Sequence, residues 1–118
     1  MRALPDGLQK LIPLTPAVFH VLLALSTGPM HGYAIMLETK KLSEGSFRMG
    51  PATLYSTIQR LVSLHLIDET PGLSEEDSRR RYYELTGAGH QLLEAEVQRM
   101  NAAVRMANAR LTRHPSQS

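Results

Sequence analysis

The residues best suited to chemistry lie between positions 50 and 67, a stretch without any acidic side chain. At about 100° per residue in an α-helix, its polar and small residues fall opposite an apolar stripe that includes Leu54, Ile58 and Leu61. Glutamine can bond bidentately to adenine, arginine can bond to guanine or to phosphate, and hydroxyls reach phosphates or base edges. An ordinary solvated face would be equally polar, but it is usually rich in Glu and Lys. The pattern therefore favours a polyanion as partner. The polar face contains Ala52, Thr53, Tyr55, Ser56, Gln59 and Arg60.

A second group of cations is the run Arg79, Arg80 and Arg81, at the base of a predicted hairpin. Consecutive arginines on a strand put positive charge on both of its faces, where it can meet phosphates. The alternative is a solvated charge run that pairs with the acids at 75–77. Those acids argue against insertion of the hairpin tip into a minor groove. Two tyrosines follow the arginines, and we expect one to pack inward and the other to face out.

Other kinds of chemistry have little support in the sequence. The chain has no cysteine, and its five histidines lie on different predicted elements without metal-ligand spacing. No serine lies in a nucleophile elbow, and Gly87-Ala88-Gly89 lacks the rest of a phosphate-binding loop. We therefore expect no enzyme and no bound cofactor or metal. No apolar run approaches the roughly 20 residues of a membrane span, so we expect a soluble cytoplasmic protein.

Three short helices precede a change of period in this chain of 118 residues. Thr15 and Pro16 start the first helix, which Gly28-Pro29 ends. The second helix covers about residues 32–42, and the third covers about 51–65 with a proline at its first position. One face of the second helix is shared by Tyr33, Met36 and Leu37.

Two short strands, at about 66–70 and 80–85, then form a hairpin around a polar loop. Thr86 caps a last helix, and the glycines at 87 and 89 allow close packing near its start. The order predicts a mainly α fold with a small β-hairpin, namely a dimeric winged helix-turn-helix followed by one long C-terminal helix. We divide the chain into an arm at 1–13 that can form a short helix, a DNA-binding domain at 14–86, a dimerisation helix at 87–111 and a flexible tail at 112–118.

The last helix carries apolar residues at alternating spacings of four and three, which is a heptad seam. Such a seam must be buried, and the domain before it is too small to cover a helix of this length. We therefore interpret the seam as a homodimer interface and not as a face packed on its own domain. After Glu96 the helix has arginines and no acid, which suits a helix C-terminus or a surface near an anion. The seam consists of Leu93, Val97, Met100, Val104, Ala107 and Leu111.

Four segments carry a resemblance to a known family. They are His31-Gly32-Tyr33, Gly50-Pro51-Ala52-Thr53-Leu54-Tyr55, Leu61 to Ile67, and Arg79 to Gly89. In this order and spacing, over about residues 14–96, they resemble the PadR family of bacterial transcription regulators. The resemblance implies a dimeric winged-helix protein, usually a repressor. It implies that Tyr55 and its neighbours contact operator DNA, that the wing follows the DNA backbone, and that the turn with His31 and Tyr33 lies close to phosphate.

The resemblance extends to a subgroup of this family. The short last helix is similar to that of the smaller members, which dimerise through one C-terminal helix, whereas larger members carry a longer helical effector domain. Ser56 stands where members often have proline, so a backbone donor is kept there. Some small members bind flat aromatic drugs between tryptophans at the dimer interface. This chain has no tryptophan, so that mode of ligand binding does not carry over.

The sequence thus predicts a homodimeric repressor that binds an inverted-repeat operator in double-stranded DNA. A small-molecule effector, of unknown identity, would act at the dimer interface, because little chain is left for a separate sensing domain. The alternative is a regulator without an effector. The alternative to a DNA-binding repressor is a winged-helix module that binds a protein partner and not DNA. Such a module should lack the acid-free helix face and the arginine run. The net charge of only +2 decides nothing by itself, because the charges are segregated along the chain.

Overall fold

The computed structural model describes residues 6–72 and 80–113, and its elements follow the predicted order. Its helices are α1 (Asp6–Gln9), α2 (Pro16–Ala24, continued by a 3-10 turn at Leu25–Thr27), α3 (Gly32–Leu42), α4 (Pro51–Ser63) and α5 (Gly87–Arg113). Its strands are β1 (Met30–His31), β2 (Ile67–Pro71) and β3 (Arg81–Leu85). The acids at 75–77, Arg79 and the segments 1–5 and 114–118 lie outside the described residues.

Two predicted caps explain where helices begin. The Thr15 hydroxyl accepts the amide of Val18 at 3.2 Å, and Pro16 takes the first position of α2. The Thr86 hydroxyl accepts the amide of Gly89 at 3.0 Å at the start of α5. Each cap satisfies a backbone donor that the helix itself cannot pair, so both helix starts are confirmed where the sequence predicted them.

The core is built where the helices meet the sheet. Helix α2 lies at its centre and packs against α3, α4 and the first turns of α5. The residues Leu8, Leu11 and Ile12, in and after α1, pack against its edge. The core members with no more than 2% of their surface exposed include Val21, Leu22, Ile35, Leu54, Ile58, Leu61, Leu66, Ile67 and Leu92.

Of the three residues predicted to share one face of α3, Met36 packs against the core, whereas Tyr33 and Leu37 point outward. Ile35 and Thr39 are fully buried, whereas Tyr33 and Leu37 are 59% and 51% exposed. The buried hydroxyl of Thr39 donates to the carbonyl of Met36 at 2.9 Å, which removes the cost of its burial. Tyr33 and Leu37 therefore lie on the outward face of α3.

The wing is a three-stranded antiparallel sheet in the order β1-β3-β2. Strands β2 and β3 form the predicted hairpin, with Glu69 opposite Tyr83. Strand β1 was not predicted, because two residues are too few to show a period. It pairs His31 with Tyr82 and so joins the start of α3 directly to the wing.

Candidate nucleic-acid interface

Helix α4 exposes the face that the sequence predicted. Its opposite stripe holds it to the core, since Leu54, Ile58 and Leu61 are at most 2% exposed. The hydroxyl of Ser56 donates to the carbonyl of Thr53 at 3.1 Å, so its proton is used within the helix. The predicted face is exposed throughout, at Ala52, Thr53, Tyr55, Ser56, Gln59 and Arg60.

The ring of Tyr55 crosses from α4 to the start of α3. A Cβ atom at Gly32 would stand 2.9 Å from the phenolic oxygen of Tyr55, closer than packed side chains allow. Gly32 is buried beneath this ring, while half of the Tyr55 side chain stays exposed. The glycine of the His31-Gly32-Tyr33 turn therefore makes room for the tyrosine of α4, and two of the predicted motifs meet in space.

His31 is the N-cap of α3. Its Nδ1 accepts the amide of Ala34 at 3.2 Å, so the proton of the neutral ring lies on Nε2. Nη1 of Arg80 lies 3.3 Å from that Nε2. Two N–H donors therefore lie side by side, and one acceptor within hydrogen-bond distance of both nitrogens could accept from each. The edge of Tyr82 supports the imidazole, with ring centroids 5.4 Å apart.

A cleft of about 790 Å³ lies between α4, the start of α3 and the wing. It collects predicted site residues from three separate segments of the chain. Its wall on the wing is basic, and its wall on the helices is aromatic and polar. The predicted residues that line it are His31, Tyr33, Tyr55, Gln59, Arg80 and Arg81.

Two further residues line the cleft that sequence reasoning missed, Glu69 and Tyr83. Nε of Arg81 lies 3.6 Å from a carboxylate oxygen of Glu69. Tyr83 is the tyrosine that packs inward, and burial, followed by the negative charge of Glu69, raises the pKa of its phenol. Sequence reasoning could have found Glu69 only from its position opposite Tyr83, and that position depends on the register of β2 against β3.

The remaining predicted cations lie elsewhere. Arg60 borders a small groove on the other side of α4, together with Leu11, Leu14 and Val18. It is exposed but does not line the cleft. Arg79 lies outside the described residues. Arg80 and Arg81 are the members of the arginine run that the structure brings to the site.

Helix α5 leaves the domain part-way along its length. Leu93 is only 6% exposed and packs in the core of its own domain, which narrows the free part of the predicted seam. Beyond it, Val97, Val104 and Leu111 are 37%, 56% and 72% exposed. From position 103 onward every described residue of α5 is exposed. The apolar face that remains open therefore begins at Val97.

Glu96 fixes the direction of α5 at the point where it leaves the core. Its carboxylate is 2% exposed and accepts the backbone amide of Leu14 at 2.7 Å. The guanidinium of Arg99 donates to its other oxygen. The bond from Arg99 lowers the pKa of Glu96 against the opposing effect of burial, and the Leu14 amide lowers that pKa further. Sequence reasoning did not single out this buried acid.

Two other classes of site find no candidate among the described residues. No group of three or more His, Asp or Glu side chains at 6–72 and 80–113 could hold a metal ion. In the same part of the chain, no helix combines the length and the apolar character that a bilayer crossing needs.

Residues 21–95 match the family model described as the transcriptional regulator PadR-like family. The chain belongs to the PadR-like family. The match runs from Val21 in α2 to Ala95 in α5, and therefore includes all elements that build the cleft. The family resemblance inferred from the sequence motifs is confirmed.

One relative of known sequence is an uncharacterized 37.1 kDa protein in transposon TN4556 from Streptomyces fradiae, 41% identical over 80 residues. The aligned part is 68% of this chain but only 21% of that protein. The chain thus spans about a fifth of the length of this relative.

Solved structures share the winged-helix fold of this PadR-family chain. A PadR family transcription regulator from Clostridium difficile R20291 has a TM-score of 0.67 at 25% identity, covering 82% of this chain and 99% of its own. Bacillus subtilis PadR, solved in complex with operator DNA, has a TM-score of 0.63 at 20% identity. That alignment covers 72% of this chain and 47% of the Bacillus protein. The predicted fold of three helices, a wing and a long last helix is confirmed.

Proposed function

We propose that this PadR-family regulator is a homodimeric repressor that binds an inverted-repeat operator in double-stranded DNA. The observation that carries the proposal is the proximity of His31 Nε2 and Arg80 Nη1, which lie 3.3 Å apart at the edge of the cleft. Two donors in this arrangement can share an acceptor, and a DNA phosphate supplies one with negative charge.

Contact with bases is assigned to α4. Its acid-free outer face carries small residues at Ala52 and Ser56, which let the helix approach the floor of a major groove. Gln59 lies where this face meets the cleft and is the candidate for bidentate bonding to adenine. Arg60, on the far side of the helix, is assigned to guanine or to the opposite phosphate strand.

The cleft is assigned to the DNA backbone that separates the two grooves. Tyr33 and Tyr55 offer hydroxyls on its helical side, and Arg80 and Arg81 offer guanidinium groups on its wing side. Support also comes from Bacillus subtilis PadR, a protein of the same fold that has been solved in complex with operator DNA. Backbone charge should then supply much of the affinity, so binding weakens steeply as salt is added.

Dimerisation is assigned to the open part of α5. Its exposed apolar residues from Val97 to Leu111 form a seam whose exposure to water is unfavourable, and a second copy of the helix would bury it. A two-fold dimer presents its two recognition helices to successive major grooves about 34 Å apart. The operator should therefore be an inverted repeat, and a small-molecule effector would act between the paired helices by changing that separation.

A gel-shift titration with the DNA upstream of the regulator's own gene tests DNA binding. We expect a shifted complex at low salt that random duplex of equal length forms only at higher protein concentration. A protein that binds neither duplex at low salt would not be a DNA-binding regulator. In that case the exposed face of α4 would serve a protein partner, as in the alternative drawn from the sequence.

A further inference from the structure

We propose that Glu69 weakens binding of the DNA backbone. Its carboxylate pairs with Arg81 and keeps the affinity of the cleft for phosphate below its maximum. The inference rests on the proposed DNA-binding function and adds a residue that opposes it. Glu69 thereby limits binding to every sequence alike, and leaves discrimination to the base contacts of α4.

The position of Glu69 sets it apart from the other acids of the wing. It lies on β2 opposite Tyr83, and both side chains line the cleft. Asp68 and Glu84, which face each other one register step away, point to the other face of the hairpin because side chains alternate along a strand. Among the residues that the structure describes, Glu69 is the acid that lines the cleft.

The charge of Glu69 acts on two neighbours. One is Arg81, whose Nε lies 3.6 Å from its carboxylate. The other is Tyr83, which also lines the cleft. Burial, and after it the negative charge of Glu69, destabilises the phenolate and so raises the pKa of Tyr83. An anion entering the cleft would experience the same repulsion as the phenolate.

The pair with Arg81 contributes little to folding. The side chains of Arg81 and Glu69 are 76% and 50% exposed, and ion pairs exposed to this extent add little stability. A phosphate in the cleft must compete with Glu69 for Arg81 and also approach a like charge. Both effects lower DNA affinity, so removing the charge of Glu69 should raise it without changing the fold.

The test compares three variants that each remove one negative charge from the same hairpin, Glu69→Gln, Glu84→Gln and Asp68→Asn. Fluorescence anisotropy is measured with labelled operator and with labelled random duplex over a range of salt concentrations. We expect Glu69→Gln to bind both duplexes about three- to fivefold more tightly at low salt, with the gain shrinking as salt screens the charges. The two control variants should gain clearly less, because their charges lie on the other face.

A double variant identifies the route of the effect. In an Arg81→Ala background, Glu69→Gln should raise affinity by a smaller factor, because competition for the guanidinium is gone. Unchanged or weaker binding by Glu69→Gln, or equal gains in all three single variants, would overturn the inference. If the wild-type chain binds operator, those results reject only the role of Glu69. If the wild type binds neither duplex, the proposed DNA-binding function fails with it.

Discussion

The carbonyl oxygen of Leu66 lies 2.0 Å from the point that a Cβ atom would take at Gly89. The first turn of α5 is thus pressed against the backbone that enters the hairpin. The close packing predicted for Gly87 and Gly89 is confirmed at Gly89 and is wrong for Gly87. We expect Gly89→Ala to lower the free energy of unfolding by about 3 kcal/mol or more, because a backbone atom cannot give way as a flexible side chain does. Urea titration followed by circular dichroism measures this change.

Gly87 supplies the matched control two residues earlier. A Cβ there would meet nothing within 4 Å, and alanine favours the helix over the unfolded chain. Gly87→Ala should therefore be neutral or stabilise by up to about 1 kcal/mol. Equal losses of stability in the two variants would contradict the packing of α5 against Leu66.

Buried Glu96 should make stability depend on pH. Its folded-state pKa is lowered, first by the bond from Arg99, so its contribution is complete above the unfolded-state pKa of about 4.3. That contribution is lost as pH falls through the folded-state pKa. Glu96→Gln should lose about 1–3 kcal/mol at pH 7, and should flatten the acid limb of the stability curve. Denaturant midpoints between pH 3 and 7 measure both effects, and the exposed Glu84→Gln should keep the wild-type curve.

Arg80 and Arg81 should contribute to affinity for all DNA sequences alike. Replacing either by alanine removes about one phosphate contact, so the slope of log affinity against log salt should fall by about 1. Anisotropy titrations with operator and random duplex measure the slope. Arg105→Ala removes the same charge from α5, away from the cleft, and should leave the slope nearly unchanged. A larger loss for operator than for random DNA would assign these arginines to base readout.

Gln59 should instead affect which bases are preferred. Its amide is exposed at the border of α4 and the cleft, where it can bond to a base edge. Gln59→Ala should relax the preference at one operator position by about 1–3 kcal/mol, with little change in binding to random duplex. Selection from randomised sites measures this, with Gln98→Ala on α5 as control. An unchanged base preference would show that Gln59 does not read sequence.

The seam on α5 should control assembly. Val104 is 56% exposed in the single chain, so Val104→Glu should leave the domain folded. In a dimer the introduced charge would be buried without a partner, and the dimer dissociation constant should rise about a hundredfold. Ala109→Glu, on the opposite side of α5, is the control. Sedimentation equilibrium measures both, and a wild-type chain that stays monomeric would contradict the assigned interface.

Local signals in the sequence were enough for the helix starts. The caps at Thr15 and Thr86 and the apolar stripe of α4 depend on residues within a few positions of each other, and the structure confirms them. The place of Glu69 in the cleft could not be predicted in this way, because it depends on the register of β2 against β3. The buried bond between Glu96 and Leu14 spans 82 positions, and no local pattern marks it.

The seam on α5 illustrates the same limit. Its spacing predicted a continuous apolar stripe from Leu93 onward, and periodicity alone cannot tell which turns a neighbouring element already covers. The structure shows that Leu93 belongs to the core of its own domain. Tertiary packing, not sequence spacing, therefore decides where the surface left for a partner begins.

Strand β1 has a mechanical consequence for signalling. Because its two residues pair with the central strand of the wing, and the second of them also caps α3, the start of α3 and the wing are coupled through His31. A movement of the start of α3 relative to the wing would have to break the hydrogen bonds between β1 and β3. Within each domain, α3 and the wing are therefore held in a fixed arrangement. In the proposed dimer, an inducing signal would therefore change the spacing of the two domains along the double helix, and not the arrangement of α3 and the wing within either domain.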